Sequence, residues 1–184
     1  MKRAMAWMAT AATLTFAVPT TGAQNDPRLP SLFRDLKSAG SAADAAPIEA
    51  RIWVIWTASG DSAIDGLMAV GLAAMGAKRY DDALGAFDRT VSRQPDFAEG
   101  WNKRATAHYL MGNYRKSADD IERTLALEPR HFGALSGLGL VELALGNEQA
   151  ALEAFERALD IHPHMAGADT HIQALRDKLK GRRI

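Results

Sequence analysis

Apolar and polar residues follow a helical pattern over most of the chain, and the pattern itself recurs every 34 residues. Three kinds of position keep this step, namely prolines, large apolar residues and small residues: Pro95, Pro129 and Pro163; Phe87, Ile121 and Phe155; Gly71, Ala105 and Gly139. A fixed step of this size is the sequence mark of stacked structural repeats. The pattern therefore predicts three repeated units, at 64–97, 98–131 and 132–165.

Each unit contains two amphipathic segments separated by a turn. In the second unit, helices are predicted over 98–111 and 114–127, because Gly112-Asn113 between them tolerates the left-handed conformation that ends helices. Pro129 ends the second helix, since proline lacks a backbone N–H and clashes with the preceding turn. The third unit repeats these signals. In the first unit the glycine comes early, which places the turn at 77–79.

The segment before the first unit, residues 24–63, predicts a linker and a degenerate helix pair. The two helices are expected over 31–39 and 45–58, and we expect the pair to precede the first unit in the stack. The run from Ile52 to Trp56 is apolar on nearly all sides, so a strand is the alternative there. Its helical flanks favour a helix.

The segment after the third unit, residues 166–184, predicts a capping helix over 168–180 and a basic tail. Ile172, Leu175 and Leu179 fall on one face of this helix, with charged residues opposite. A repeat array needs such a terminal helix, apolar inside and polar outside, to remain soluble.

The repeated unit resembles the tetratricopeptide repeat, which has this period together with fixed small and bulky positions. The second unit carries the resemblance best, at eight positions: Trp101, Ala105, Gly112, Tyr114, Ser117, Ile121, Thr124 and Pro129. The resemblance implies an all-α fold: a right-handed solenoid of helical hairpins, with the degenerate helix pair before it and the capping helix after it.

Some residues depart from the family pattern or bear on its packing. Arg104, His108 and Glu142 stand where apolar residues are usual, and Arg104 and Glu142 are predicted to pair between neighbouring first helices. Trp101 is predicted to fill a gap between helices. If the ring is buried, Trp101→Ala costs about 3–5 kcal/mol.

The resemblance also implies that the first helix of each unit lines a concave surface that binds other proteins. A mostly apolar stripe along these helices forms the predicted peptide groove: Met68, Leu72, Met75, Asn102, Thr106, Tyr109, Leu110, Ser136, Leu140 and Leu143. The groove suits an apolar peptide or an amphipathic helix. The alternative is that residues 52–56, or the terminal helix, fill the groove, so that these side chains are ordinary core.

Some relatives clamp the C-terminal carboxylate of cytosolic chaperones with lysine, arginine and asparagine on these helices. Here Met68 and Leu72, and then Gly133 and Gly137, occupy the corresponding positions, and Lys103 is the one basic residue. The carboxylate-clamp mode is therefore not expected.

Residues 1–23 have the order of a secretory signal peptide. Lys2 and Arg3 precede an uncharged run over 4–18 and a small-residue end, which predicts cleavage after Ala23 and export to the periplasm. The alternative is an uncleaved membrane anchor. The run would span roughly 22 Å at about 1.5 Å per residue, short of a bilayer core of about 30 Å. No stable membrane insertion is expected after cleavage.

Composition narrows the range of functions. The chain has 22 basic and 22 acidic residues, so the charge balance gives no attraction to nucleic acid. It has no cysteine, which excludes disulfides, thiol catalysis and thiolate metal sites. His162, His164 and His171 are predicted to be solvated turn residues, because no acidic ligand has a suitable spacing to them.

No coherent set of acid–base, nucleophilic or metal-binding residues emerges from the sequence. We therefore expect no enzyme and no cofactor, but a scaffold or adaptor that binds another protein. Two alternatives remain open: a membrane-tethered assembly factor with an uncleaved N-terminus, and an accessory subunit of an envelope enzyme.

Overall fold

The computed structural model describes residues 23–181, which form nine α-helices after a short 3₁₀ turn at Ala23–Asn25. The helices, in chain order, are α1 (Leu29–Ser38), α2 (Ala42–Thr57), α3 (Ser62–Gly76), α4 (Tyr80–Arg93), α5 (Ala98–Leu110), α6 (Tyr114–Leu127), α7 (Phe132–Leu145), α8 (Glu148–Ile161) and α9 (Ala168–Gly181). No strand occurs within residues 23–181. The predicted all-α fold is confirmed. The signal-peptide prediction falls on residues outside the described range, apart from Ala23.

Three helical hairpins, α3–α4, α5–α6 and α7–α8, form the repeat stack. The turns inside the second and third hairpins place Gly112 and Gly146 at φ values of 75° and 82°. The first hairpin lacks a glycine at this position, and Lys78 takes the left-handed conformation instead, at φ 58°. The turn therefore lies where the sequence predicts it.

Small residues let the two helices of a hairpin approach each other. A Cβ atom added to Gly71 would lie 2.4 Å from Cε1 of Phe87, and one added to Gly139 would lie 2.6 Å from Cζ of Phe155. Both phenylalanine rings are fully buried. The paired small and large positions of the 34-residue pattern are thus direct contacts between helices.

Neighbouring hairpins pack through one face of each first helix. In α5, a Cβ atom added to Gly100 would lie 2.9 Å from Cγ2 of Thr90 in α4. Ala107, two turns further along α5, is fully buried and packs in the apolar cluster of α3 and α4. The equivalent face of α7, at Ala134 and Val141, is buried in the cluster formed with α5 and α6.

Two predictions about the second unit are wrong. The Trp101 ring is only half-buried, with its Nε1–H donating to the Pro95 carbonyl at 3.0 Å. Arg104 does not pair with Glu142: its guanidinium bonds to the Asp120 carboxylate at 2.6 Å and to Asp88 at 2.8 Å. The reason is direction, because Arg104 points towards the second helices α6 and α4 rather than along the first helices.

The capping helix is confirmed at the C-terminal end. In α9, Ile172 and Leu175 are buried in a cluster with Phe155 of α8, and the outward side carries charged residues. None of the helices in residues 23–181 is long and apolar enough to cross a membrane.

The helix pair α1–α2, called the N-terminal hairpin below, does not take its predicted place before α3. Its apolar cluster includes Phe132 at the start of α7 and contacts Met165 in the loop between α8 and α9. The Lys37 ammonium lies 2.9 Å from the Asp160 carboxylate in α8. The hairpin therefore packs across the loops of the second and third units, and its large apolar residues are buried there.

Candidate functional site

A half-open pocket of about 210 Å³ lies between α5 and α7. Its lining is mostly apolar, with a few amide and hydroxyl groups. Five residues of the predicted groove line it: Asn102, Thr106, Tyr109, Ser136 and Leu140. Ile121 and Val141 form part of its floor, and Met165 reaches it from the loop after α8.

The other predicted groove residues lie elsewhere. Met68 is only 5% exposed and packs in the core of the first hairpin, so it presents no groove surface. Met75 and Leu143 are half-buried against apolar clusters. Leu72 and Leu110 are 43% and 46% exposed and lie outside the lining of the pocket. The ten positions do not form one continuous groove.

The N-terminal hairpin covers one end of the stripe. A Cβ atom added to Gly133 would lie 2.8 Å from Cη2 of Trp53, so the indole sits directly on the start of α7. Trp56 stacks on the His131 ring at 4.1 Å between centroids, with 9° between the planes. The alternative that residues 52–56 fill the groove is therefore correct at this end, while the pocket beyond it remains open.

Beneath these indoles lies a buried polar cluster centred on Glu99, the second residue of α5. Its Oε2 accepts hydrogen bonds from Asn102 Nδ2 at 2.8 Å and from His131 Nε2 at 3.0 Å. The His131 proton is on Nε2, because Nδ1 accepts the backbone N–H of Ala134 at the start of α7. Lys103 Nζ lies 2.8 Å from Glu99 Oε1 and 5.3 Å from the centre of the Trp53 ring.

The cluster keeps Glu99 ionised despite its burial. Burial alone would raise the pKa of Glu99, but the hydrogen bond from His131 and the charge of Lys103 outweigh it, and the pKa is lowered. The consequence for the pocket is electrostatic. The positive charge of Lys103 is compensated inside the protein, so it is not available to hold the carboxylate of a partner.

The three histidines near the end of the chain are not simply solvated turn residues, since His162 is buried and His164 and His171, the latter in α9, are half-buried. His162 is buried, and its Nε2 lies 3.1 Å from the Glu49 carboxylate of α2. His164 Nε2 lies 2.8 Å from the Ala39 carbonyl, and the His171 ring stacks on Phe155 at 4.8 Å. The sequence prediction failed because their partners, apart from Phe155, are far away in the chain. Within the described residues, no group of three or more histidine, aspartate or glutamate side chains is placed to hold a metal ion.

A third buried histidine, after His131 and His162, lies inside the stack. His108 in α5 is largely buried, and burial is the main cause that lowers its pKa. The nearby charges of Arg104 and Lys116 act in the same direction, whereas Asp120 opposes them. The neutral form of His108 is therefore the form that the fold favours.

The Glu99 cluster is not predictable from the sequence as a whole. One local signal was present, since Glu99 and Lys103 stand four residues apart in one helix, a spacing that favours an ion pair. The contact with His131 was not visible, because it depends on how the second and third units stack.

These features define the class of the protein: a helical-repeat protein with a pocket between the first helices of its second and third units. A family model described as tetratricopeptide repeat matches residues 69–114 and 102–166. A TPR repeat-containing protein of Rhizobium etli is 42% identical over 177 residues, which cover 95% of this chain and 87% of the relative. The chain belongs to the tetratricopeptide-repeat family.

Other relatives share the repeats over a smaller part of their length. Small glutamine-rich tetratricopeptide repeat-containing protein 2 of Saccharomyces cerevisiae is 32% identical over 91 residues. This match covers 50% of the chain but only 26% of the yeast protein.

Solved structures share the fold. The Sgt2 TPR domain of Aspergillus fumigatus matches with a TM-score of 0.63 and 24% identity, covering 67% of this chain and 83% of that one. The first TPR of Spaghetti (RPAP3), bound to the HSP90 peptide SRMEEVD, matches with a TM-score of 0.63 and 21% identity, covering 65% and 96%. The likeness supports the helical-hairpin solenoid.

Proposed function

We propose that this protein is a non-catalytic scaffold that binds an apolar peptide or helix of a partner protein in the pocket between α5 and α7. The observation that carries the proposal is the half-open, mostly apolar pocket of about 210 Å³, which is lined by five residues of the predicted groove. A cavity of this kind takes one or two large apolar side chains, with the polar groups orienting the backbone around them. The solved TPR structure bound to an HSP90 peptide is consistent with a peptide partner.

The chemistry of the partner follows from the charge of the surface. Lys103, the basic residue beside the pocket, is paired with Glu99 and lies against Trp53. A peptide ending in acidic residues gains nothing from a compensated lysine and loses hydration on binding. The preferred peptide is therefore uncharged where it enters the pocket and presents bulky apolar residues.

Binding of defined peptides tests this proposal. A displayed library of peptides should enrich sequences with bulky apolar residues and no acidic C-terminus, and the selected peptide should bind in fluorescence anisotropy. The acidic peptide SRMEEVD should bind at least about tenfold more weakly, a difference of about 1.4 kcal/mol.

Matched variants locate the site. Leu140→Asp places a charge in the pocket and should abolish binding of the selected peptide. Leu72→Asp is the control, because Leu72 is exposed and lies outside the pocket lining. Equal binding by both variants, or preferred binding of SRMEEVD, contradicts the proposed site.

The proposed place of action is the periplasm, with the signal peptide cleaved after Ala23. The basic start, the uncharged run and the small-residue end of residues 1–23 support this proposal. Mass spectrometry of the protein from the producing cell tests it. A chain that starts at Gln24 is expected, whereas an intact Met1 favours the membrane-tethered assembly factor.

The second candidate function is an accessory subunit of an envelope enzyme. It predicts that the captured partner has an enzymatic activity that changes when the pocket is blocked. An activity assay of the partner with the native protein and with Leu140→Asp separates this function from that of a simple scaffold. For a simple scaffold, Leu140→Asp should abolish binding and leave the partner's activity unchanged.

A further inference from the structure

The outward half of α3 is an exposed and uncharged helix surface. Val70 is 60% exposed, and its neighbours on this face are small: Ala63, Gly66, Ala69, Ala73 and Ala77 just after the helix. Solvent-facing helix surfaces of globular proteins usually carry charged residues. Asp65, at the edge of the face, is the one charged residue between Ser62 and Ala77.

The 34-residue repeat shows what covers this face elsewhere in the molecule. Gly66 and Ala73 correspond to Gly100 and Ala107 of α5, which pack on the preceding hairpin α3–α4. They also correspond to Ala134 and Val141 of α7, which pack on α5–α6. The face is thus the stacking surface of a first helix. At α3 it lies open because the N-terminal hairpin packs on the loops of the second and third units instead.

We propose that this α3 face pairs with the same face of a second copy of the chain, so that the protein forms a twofold dimer. Small residues without charge allow two helices to approach closely, and the surface is complementary to itself. The interface continues the stacking surface that the repeats already use inside the molecule.

The charges at the two ends of α3 select the orientation. Asp61 and Asp65 lie at its N-terminal end, and Lys78 and Arg79 follow its C-terminal end. The Arg79 guanidinium already lies 2.9 Å from the Asp82 carboxylate, so the orientation rests mainly on Lys78 and on the helix dipoles. An antiparallel pair brings the acidic end of each helix to the basic end of the other and opposes the helix dipoles. A parallel pair would bring like charges together.

The C-terminal end of the stack offers no alternative partner for this face. The outward side of α9 carries exposed charged residues near both ends of the helix, namely Asp169, Asp177 and Lys180. Head-to-tail stacking of α3 on α9 would bury these charges without partners, which is costly. Pairing of α3 with α3 avoids that cost.

Solution mass tests the dimer. Sedimentation equilibrium of the protein should give twice the chain mass, and Val70→Asp should shift it to the mass of one chain, because like charges meet at the twofold axis. Val54→Asp is the matched control: Val54 is 69% exposed, but it lies on α2 and should leave the dimer intact. A single-chain mass at all concentrations overturns the proposal.

Cysteine crosslinking tests the orientation, since the natural chain has no cysteine. Val70→Cys lies at the centre of the antiparallel pair and should form a disulfide between two copies. Ala63→Cys and Ala77→Cys should each fail alone but crosslink when the two variants are mixed. Crosslinking of Ala63→Cys with itself indicates a parallel pair and contradicts the proposed interface.

The crosslinked partner must also be identified. A photoreactive residue at position 70, used in the producing cell, should yield a product that mass spectrometry assigns to two α3 segments. A product that joins position 70 to residues 1–22 of the same chain, or to a different protein, overturns the proposal.

Discussion

The two ends of the repeat stack differ in how they are capped. At the C-terminal end, α9 buries Ile172 and Leu175 on α8 and turns its charged side to solvent. At the other end, α3 exposes an uncharged face centred on Val70. The difference teaches that helices which precede a repeat stack in sequence do not have to precede it in space.

The physical reason is that each terminal element packs where its apolar side chains become buried. The N-terminal hairpin carries large apolar residues that are buried together with Phe132 of the third unit. Around Val70, the open face of the first unit carries small residues such as Gly66 and Ala73, and these bury little area. The hairpin therefore gains more from the loops of the second and third units than from α3.

The largest expected effect is at the indole that anchors the N-terminal hairpin. Trp56 is 1% exposed and stacks on His131, so Trp56→Ala should lower the free energy of unfolding by about 3–5 kcal/mol. Trp101→Ala is the control and should cost about 1–2 kcal/mol, since the half-buried ring makes one hydrogen bond and two cation–π contacts, with Arg104 and Arg123. Urea denaturation of both variants measures this. Equal losses contradict the anchoring role of Trp56.

The buried carboxylate of Glu99 comes next. Glu99→Gln leaves Lys103 and His131 without their shared acceptor charge and should cost about 1–3 kcal/mol near neutral pH. Because the pKa of Glu99 is lowered in the fold, the stability that its carboxylate contributes is fully present above the ordinary pKa of 4.5 and is lost as the pH falls from there through the lowered pKa. In denaturation curves at several acidic pH values, the free energies of unfolding of the native protein and of Glu99→Gln should therefore converge. A constant difference between them down to strongly acidic pH contradicts this expectation.

A smaller effect is expected at His108, which lies inside the stack and away from both ends. Its lowered pKa means that the folded state favours the neutral ring. With respect to His108, the free energy of unfolding is therefore at its full value above about pH 6.5. It declines as the pH falls below that value, since the unfolded chain binds the proton more readily. His108→Gln should flatten this part of the curve of thermal midpoint against pH. An unchanged slope would show that another group is responsible.

The smallest expected effect is at the exposed ion pair of Lys37 and Asp160. Both side chains are more than half exposed, and such pairs contribute less than about 1 kcal/mol. Lys37→Gln should therefore change the urea midpoint only slightly, and less at high salt. A loss comparable to that of Trp56→Ala would mean that charge rather than apolar packing holds the hairpin on α8.

The sequence allowed the repeat stack to be predicted because its determinants are local and periodic. The turns at Gly112 and Gly146, and the contact of Gly71 with Phe87, follow from spacing alone. The position of the N-terminal hairpin did not follow, since it depends on contacts such as Trp56 with His131 that have no period.

In the candidate site, too, only the features that depend on local, periodic positions could be predicted. Thr106, Tyr109, Ser136 and Leu140 were placed in one pocket by the helical pattern. The pattern could not show that Met68 is core, because a stripe on a helix does not tell how far the neighbouring hairpin covers it. It also could not show that Trp53 closes one end of the stripe.

The position of the N-terminal hairpin is the central claim, since both the covered groove and the open α3 face depend on it. Carbodiimide crosslinking followed by mass spectrometry tests it without any substitution, because this reagent joins an amine to a carboxylate only when they are in contact. The Lys37 amine, 2.9 Å from the Asp160 carboxylate, should be joined to it. A Lys37 crosslink to Asp65, Asp81 or Asp82 of the first unit would place the hairpin on α3–α4 and contradict the account.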